Sequence, residues 1–279
     1  MTKLQLPLLF SLFVLFTACH ALVDDEFPDF EKLPVINAYL QADKIIDLQL
    51  TFTANLTDSM PKYIPNAQVI IESSLGASDT LKYTKKGWYT SKLIAKVGVT
   101  YTCKVNIDGY KQVVAQTTIP DYTTIYDLKF TQLAGLGSQG GIVSSFEFTI
   151  ASNKSHNCYW EVFFDNFQIY MLPERDSVLI TEAMPLTVFS NKKMKDETYK
   201  VKFFLESYGN VFEPNTRQHI TIRSVDESYY KFQKQYFLYS TSQYQDLGSS
   251  PQTYPLYSNV TNGLGIFTSY TSTSRAVIQ

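Results

Sequence analysis

The stretch Ile46-Asp-Leu48-Gln-Leu50-Thr-Phe52 alternates apolar and polar residues along its whole length. Because successive side chains of an extended chain point to opposite faces, this alternation predicts a β-strand with one buried face. Similar short patterns flank it throughout residues 34–120. Asp108-Gly109 separates the last two as a tight hairpin turn, since these residues accept positive φ at low cost. Seven or eight short antiparallel strands predict an immunoglobulin-like β-sandwich over residues 34–120.

Strand patterns continue beyond Pro120, where we place a domain boundary. Residues 125–130, 143–150 and 199–205 alternate in the same way as the first set. A second β-sandwich over residues 121–279 is therefore the most economical interpretation. The predicted fold class is all-β, with two β-sandwich domains.

One helix interrupts the second predicted domain. Ser224-Val-Asp-Glu227 has the form of a capping box. In such a box the serine side chain accepts a hydrogen bond from a backbone N–H of the helix, and the glutamate side chain accepts one from the backbone N–H of the serine. Aromatic residues then recur at three- and four-residue spacing: Tyr229, Phe232, Tyr236 and Tyr239. This spacing predicts an amphipathic helix over about residues 225–243. Its aromatic face either packs on the sheet or forms an exposed docking stripe, and the first alternative is the commoner one.

The N-terminus has the form of a lipoprotein signal peptide over residues 1–18. Lys3 is followed by an apolar run over residues 4–16, which is too short to span a bilayer comfortably. The run ends in Leu15-Phe-Thr-Ala-Cys19, which has the shape of a bacterial lipobox, where the cysteine thiol takes a diacylglycerol. We therefore expect lipidation of Cys19 and a membrane anchor. The alternative is an ordinary secretory signal with an unmodified Cys19.

Residues 19–33 form an acidic tether in this interpretation. The cluster Asp24, Asp25 and Glu26 lies a few residues after the predicted anchor. It resembles the surface-export signal of Bacteroidota lipoproteins, which would place the folded part outside the cell. A solvated acidic linker is the other interpretation of three acidic residues.

The composition indicates which partners are excluded. The net charge is −2 and charged residues make up only 18% of the 279 residues, so the chain has no basic footprint for nucleic acid or an anionic membrane surface. The aromatic share is high, at 15%. In a β-protein such residues fill core and cross-strand positions more often than they form a recognition surface.

The sequence predicts neither a catalytic centre nor a metal site. Cys103 and Cys158 each lie among apolar neighbours, and we expect two buried free thiols. The three histidines, at positions 20, 156 and 219, have no metal-ligand or triad spacing. We therefore expect a non-enzymatic protein without a cofactor, in which no residue is assigned a catalytic role.

Three tripeptides resemble the O-glycosylation acceptor of Bacteroidota. They are Asp58-Ser59-Met60, Asp79-Thr80-Leu81 and Asp176-Ser177-Val178. Modification would require that Ser59, Thr80 and Ser177 be exposed to solvent. Because such tripeptides are short, they also arise by chance.

Several motifs occur in a characteristic order along the chain. After the lipobox come Pro34-Val-Ile-Asn-Ala38, Pro65-Asn-Ala-Gln-Val69, Gly87-Trp-Tyr89, Gly98-Val-Thr-Tyr101, Ser228-Tyr-Tyr-Lys-Phe232 and Tyr257-Ser-Asn-Val-Thr-Asn-Gly-Leu-Gly-Ile-Phe267. Together they resemble the Bacteroidota lipoproteins of domain-of-unknown-function family 4249, and the closing motif is the most specific of them. The chain departs from the family at Ser249-Ser-Pro-Gln252, where a Pro-Phe, acidic-Pro stretch is usual.

The resemblance implies an outer-membrane lipoprotein without an assigned activity, often encoded beside a TonB-dependent receptor. We therefore expect a lipid-anchored, surface-facing protein of the outer membrane that binds such a receptor as its partner. The alternative is a stand-alone glycan- or peptide-binding module. That alternative needs exposed aromatic platforms, for which Trp88 and Trp160 are candidates, although the position of Trp160 in its strand favours burial.

Overall fold

The computed structural model describes residues 31–55, 58, 60–136, 142–152, 155–164, 188–194, 196–206, 217–242 and 254–278. Residues 32–279 form one compact unit. The predicted signal peptide and most of the predicted tether lie outside the described residues. Residues 178–181, whose sequence also predicts a strand, lie outside them as well.

The first half of the described chain contains nine strands and no helix. They are β1 (Pro34–Gln41), β2 (Ile45–Phe52), β3 (Lys62–Tyr63), β4 (Gln68–Ser73), β5 (Ser78–Thr80), β6 (Lys82–Tyr83), β7 (Trp88–Ile94), β8 (Thr100–Asn106) and β9 (Val113–Thr118). The predicted strand with one buried face is confirmed in β2, where Ile46, Leu48 and Leu50 are fully buried. They belong to the first core, which we define as the buried apolar residues between positions 36 and 119 together with Phe267.

The second half contains seven described strands, a short 3-10 turn and one α-helix. They are β10 (Ile125–Leu136), β11 (Ile142–Ala151), β12 (Tyr159–Phe164), β13 (Val188–Ser190), the 3-10 turn Asn191–Lys193, β14 (Thr198–Glu206), β15 (Arg217–Val225), α1 (Glu227–Ser242) and β16 (Leu264–Ile278). The second core consists of buried apolar residues between positions 125 and 222, with Phe146, Phe148 and Trp160 at its centre. The predicted all-β fold with a single helix near the C-terminus is confirmed.

The strands form three sheets. A four-stranded sheet, β5-β4-β8-β9, belongs to the first half, and a three-stranded sheet, β10-β11-β14, belongs to the second. The third sheet has nine strands in the order β13-β12-β15-β16-β1-β2-β7-β6, with β3 beside β2. This large sheet continues across the boundary that we place after Pro120, and the sequence gives no sign of that continuity. The division into two domains stays a prediction, although each half has its own core.

The helix begins at Glu227, and its cap differs from the predicted one. The backbone N–H of Tyr229 donates to Asp226 Oδ1 at 2.8 Å, so Asp226 caps the helix. Ser224 still belongs to β15, and its hydroxyl bonds to that of Thr123. The capping box at Ser224 is therefore wrong, because β15 continues to Val225 and leaves Asp226 as the first residue free to cap. Within the described residues, no helix is both long and apolar enough to cross a membrane.

The last strand, β16, joins the two halves. It pairs with β1 in parallel, from Val35 opposite Leu264 to Gln41 opposite Tyr270. On its other side it pairs antiparallel with β15. Gly265 makes the parallel pairing possible, because it has a φ of +104° and a Cβ atom there would lie 2.0 Å from the carbonyl oxygen of Ile36.

The closing motif at residues 257–267 fixes the start of β16. Asn259 Nδ2 donates to the carbonyl of Phe267 at 2.8 Å, and the N–H of Phe267 donates back to Asn259 Oδ1 at 3.0 Å. Asn262 Nδ2 donates to the carbonyl of Gln112 at 2.9 Å. The backbone of Thr261 pairs with that of Val114. The order of polar residues in this motif is therefore explained by its structural role, which is to hold the start of β16 in place.

We expect Gly265→Ala to destabilise the protein by at least about 3 kcal/mol, because the new methyl group collides with the backbone of β1 and the φ angle is strained. The matched control is Gly76→Ala, which also has positive φ, at +85°, but has no atom within 4 Å of the new Cβ. It should cost only about 1 kcal/mol. Urea unfolding measures both, and equal losses would refute the role of close approach at Gly265.

Candidate functional site

A groove of about 680 Å³ lies where the chain passes from the first half to the second. Residues 118–124, which connect β9 to β10, form one side of it. Residues 151–152, 156–160 and 224–227 form the other side, at the ends of β11, β12 and β15. Its size is that of a typical small-molecule site. We take this groove as the candidate functional site.

Hydrogen bonds fix the β9–β10 connection to β12 and β15 at one side of the groove. Trp160 Nε1 donates to Thr123 Oγ1 at 2.7 Å, and the hydroxyls of Thr123 and Ser224 bond to each other. Trp160 is only 2% exposed and stacks on Phe189 with ring centroids 5.4 Å apart. The connection between β9 and β10 is therefore tied to the second core through Thr123.

Asp226 lies at the point where three elements meet. Its carboxylate accepts hydrogen bonds from Thr117 Oγ1 on β9, at 2.5 Å, from Thr268 Oγ1 on β16 and from the N–H of Tyr229 in α1. Burial raises the pKa of Asp226 above its usual range, and the hydrogen bonds from Thr117 and Thr268 oppose that rise. This one carboxylate thus joins the first half, the last strand and the helix.

Two residues that line the groove carry buried hydroxyls. They belong to Ser152 and Tyr159, which are 6% and 5% exposed, and of the two only Ser152 Oγ lacks a hydrogen-bond partner among the described residues. Burial, and after it a hydrogen bond to the Glu227 carboxylate, raises the pKa of Tyr159 to about 12, so its hydroxyl keeps its proton at neutral pH. Buried polar atoms in native proteins are normally satisfied.

A second polar cluster joins α1 to β12 and β15 of the large sheet. Glu161 accepts a hydrogen bond from the Tyr229 hydroxyl, and an Arg223 guanidinium nitrogen lies 3.6 Å from the same carboxylate. Burial raises the pKa of Glu161, while Tyr229 and Arg223 lower it. The Arg223 guanidinium also lies over the rings of Phe163 and Tyr270, at 4.3 and 4.6 Å from their centroids. These contacts fix the helix to the sheet.

The aromatic face of α1 is divided between the two alternatives that the sequence left open. Tyr229 and Tyr230 are buried against the sheet, at 3% and 7% exposure. Tyr236 is 48% exposed and stacks on Phe232 with centroids 6.1 Å apart. The first turns of the helix therefore belong to the packed body, and Tyr236 marks a solvent-facing part further along.

Most residues with a predicted role lie outside the described part of the chain. These are Cys19, Asp24, Asp25, Glu26, Ser59 and Ser177. Thr80 is described, and it is exposed on β5. The preceding Asp79 accepts hydrogen bonds from the N–H of Lys92 at 2.6 Å and from Ser91 Oγ at 2.7 Å, which lower the pKa of its carboxyl. Exposure is what glycosylation of Thr80 requires, and the modification stays a prediction.

Both cysteines in the described residues are free thiols, as the sequence predicts. Cys103 is fully buried, and burial raises its pKa to about 12. Cys158 is only half-buried and lines the groove, so its predicted burial is wrong. His156 lines the same groove and is exposed, as is His219 on β15. In the part of the chain that the structure describes, no cluster of His, Cys, Asp or Glu could hold a metal ion.

Sequence reasoning missed the groove and the three residues that define it. Ser152 and Tyr159 are single polar residues at strand ends, and nothing in their local pattern distinguishes them from other such residues. Asp226 did carry a signal, because an aspartate directly before a helical pattern is a favoured cap. Its contact with Thr117 spans 109 residues and could not be read from local sequence.

Comparison with known proteins gives one result. A family model described as a domain of unknown function, DUF4249, matches residues 22–276. The match covers the described body together with part of the preceding segment. None of the curated proteins matches the chain.

We expect Asp226→Ala to lower the free energy of unfolding by about 2–4 kcal/mol, because it removes the helix cap and leaves the Thr117 and Thr268 hydroxyls without their acceptor. Asp226→Asn should cost about 1 kcal/mol, since asparagine caps helices nearly as well. Asp121→Ala is the control, because Asp121 is exposed. Chemical unfolding that gives Asp226→Ala and Asp121→Ala the same stability would contradict the central position of Asp226.

Proposed function

Since the chain belongs to the DUF4249 family, which has no assigned function, we propose from its architecture that it is a lipid-anchored protein of the outer membrane that acts by binding. In this proposal Cys19 carries the lipid, the folded body faces the cell exterior, and a TonB-dependent receptor is the partner. In this proposal the folded body holds a binding surface in a fixed position and does not act as an enzyme.

The observation that carries the proposal is an exposed apolar edge at the end of the three-stranded sheet. Leu133, Leu136 and Ile142 are 70%, 73% and 55% exposed. Leu136 and Ile142 face each other across the β10–β11 pairing, so their side chains are neighbours. We call these three residues the distal apolar edge. Covering them with a partner would remove apolar surface from water, at about 25 cal/mol per Å².

The distal apolar edge lies at the end of the second half that is remote from the groove. The chain passes from Ala151 at the end of β11 to Tyr159 at the start of β12, and both residue 151 and residue 159 line the groove. Antiparallel pairing places Ile125 beside Ile150 at this near end and Leu136 beside Ile142 at the opposite end. The edge therefore points away from the junction between the halves.

The longest strand of the large sheet, β16, begins beside the first residues of β1. The chain enters β1 at Pro34, and β16 starts beside it and continues past the end of β1 to Ile278. Fifteen residues at strand geometry span about 50 Å. The predicted tether, residues 19–33, could add at most about 50 Å when extended. In this proposal, a tether of this length lets the anchored body contact a membrane protein beside it.

Replacing Cys19 with serine tests the anchor. We expect wild-type protein expressed in its native host to incorporate a palmitate analogue and to sediment with membranes, because two or more acyl chains hold a protein on a bilayer. Cys19→Ser should lose the label and leave the membrane fraction. Cys158→Ser is the matched control, since it removes a half-buried thiol of the body and should keep both properties. Unchanged sedimentation of Cys19→Ser would refute the anchor.

Replacing Leu133 and Leu136 with serine tests the partner. We expect a TonB-dependent receptor, identified by mass spectrometry, to co-purify with the wild-type protein from detergent-solubilised outer membranes. The double variant should recover it at least about tenfold less well, because losing two apolar contacts costs more than 1.4 kcal/mol. Leu75→Ser is the control, since Leu75 is equally exposed, at 72%, on the turn between β4 and β5. Recovery that is equal for all three proteins would contradict a role for the distal apolar edge.

A further inference from the structure

One end of the first half contains the point where the chain enters the folded body. Phe52, the last residue of β2, pairs with Pro34 at the start of β1 and with Lys62 in β3. The N–H of Thr53 donates to the carbonyl of Leu33 at 2.9 Å. The last residues of the predicted tether are therefore fixed at this end.

Two further loops reach the same end. The N–H of Leu50 donates to the carbonyl of Gly87 at 2.8 Å, which places the turn between β6 and β7 beside the end of β2. The ring of Tyr110, in the hairpin between β8 and β9, has its centroid 5.2 Å from that of Phe52. We define the entry face as residues 31–34, 53–55, 58, 60–62, 84–88 and 107–112.

Three large side chains of the entry face are exposed to solvent, and each belongs to a different loop. Met60 is 69% exposed, Trp88 is 39% exposed and Tyr110 is 36% exposed. Tryptophan and tyrosine favour the boundary between water and lipid, because each combines an apolar ring with a polar group. The entry face therefore presents the residue types that such a boundary favours.

Lysines give the entry face a positive charge that the composition of the whole chain does not reveal. The face has an excess of two positive charges, whereas the net charge of the chain is −2. Its charged residues are Lys32, Lys62, Lys85, Lys86 and Lys111, with Glu31, Asp58 and Asp108. Asp58 is already paired with Lys62, at 3.0 Å. The absence of a basic footprint that the composition predicts thus describes the chain as a whole, and this end differs from it.

We propose that the entry face lies against the phospholipid surface of the bilayer that holds the acyl chains of Cys19. Trp88 and Tyr110 lie at the level of the headgroups. The lysine ammonium groups bind lipid phosphates, and their apolar stems lie along the lipid. This inference rests on the proposed lipid anchor and adds to it the orientation of the body.

The anchor explains why a face of this size is sufficient. Residues 19–33 span at most about 50 Å when extended, so an anchored body stays near the bilayer. The contact between face and lipid is then in effect intramolecular, and its high effective concentration compensates for a weak affinity. Because the chain enters the body at this face, the tether does not have to pass around the body for the contact to form.

This orientation leaves the second half accessible to a partner. β9 starts at Val113, directly after the entry face, and ends at Thr118, which lines the groove. The groove and the entry face therefore lie at opposite ends of β9. The distal apolar edge lies at the end of the second half that is remote from the groove.

The test uses the two tryptophans of the chain. The lipidated protein is purified from its native host and reconstituted in vesicles of phosphatidylethanolamine and phosphatidylglycerol, with and without a phospholipid brominated near the headgroup end of its chains. Bromine quenches tryptophan emission on contact. Trp160 is 2% exposed within the second core and serves as the internal reference. We expect bromolipid to quench most of the Trp88 emission, measured as the difference between the wild type and Trp88→Phe.

A matched pair of double variants tests the lysines. Lys85→Glu with Lys111→Glu reverses two exposed charges on the entry face, and should weaken the quenching of Trp88 at least about twofold. Lys44→Glu with Lys96→Glu reverses two exposed charges at the other end of β2 and β7, and should leave the quenching unchanged. Both should keep the melting temperature, because surface substitutions cost little stability.

The possible failures are distinguishable from one another. Protein that floats with the vesicles while Trp88 is unquenched keeps its anchor, and this proposal fails alone. Protein that does not float refutes the anchor and this proposal together. Trp88 emission that is protected from aqueous acrylamide but unquenched by bromolipid would show that a second copy covers the face instead of lipid. Equal quenching in the two double variants would refute the role of the lysines.

Discussion

The parallel pairing of β16 with β1 is the constraint on which the rest of the structure depends. It closes the large sheet between two sets of strands that otherwise have separate cores. The pairing brings together residues more than 220 positions apart, so its closure carries a large entropic cost. Gly265 and Asn259 offset that cost locally, the first by allowing close backbone contact and the second by bonding both backbone groups of Phe267.

The polar contacts around Asp226 follow from that pairing. Once β16 lies beside β1, the hydroxyl of Ser269 bonds to that of Thr117 on the four-stranded sheet at 2.8 Å, Thr268 donates to Asp226, and Thr117, Thr268 and Ser269 are all buried. Buried hydroxyls need partners, and Asp226 accepts from two of them while Ser269 donates to the carbonyl of Thr118 at 2.8 Å. The two apolar cores are therefore joined by a polar layer that has directional bonds, and such bonds fix the relative position of the halves.

The sequence predicts much of the fold because alternation is a local property. The buried face of β2, the position of α1 and the all-β class all follow from residues that are close along the chain. Pairing between distant strands is not local, which is why the link between β1 and β16 could not be predicted. The groove was missed for the same reason, since residues 118–124, 151–152, 156–160 and 224–227 come together only in the folded chain.

The family motif and the candidate site occupy different parts of the molecule, and this separation limits what family membership implies. The closing motif carries the resemblance most specifically, and its Asn259, Asn262 and Gly265 serve the start of β16. None of these three residues lines the groove or belongs to the distal apolar edge. A protein can therefore keep the motif and the fold while the residues of its groove and of its distal apolar edge change. Family membership predicts the scaffold, and the contacts with membrane and partner must be argued from residues such as Lys111 and Leu136, which lie outside the motif.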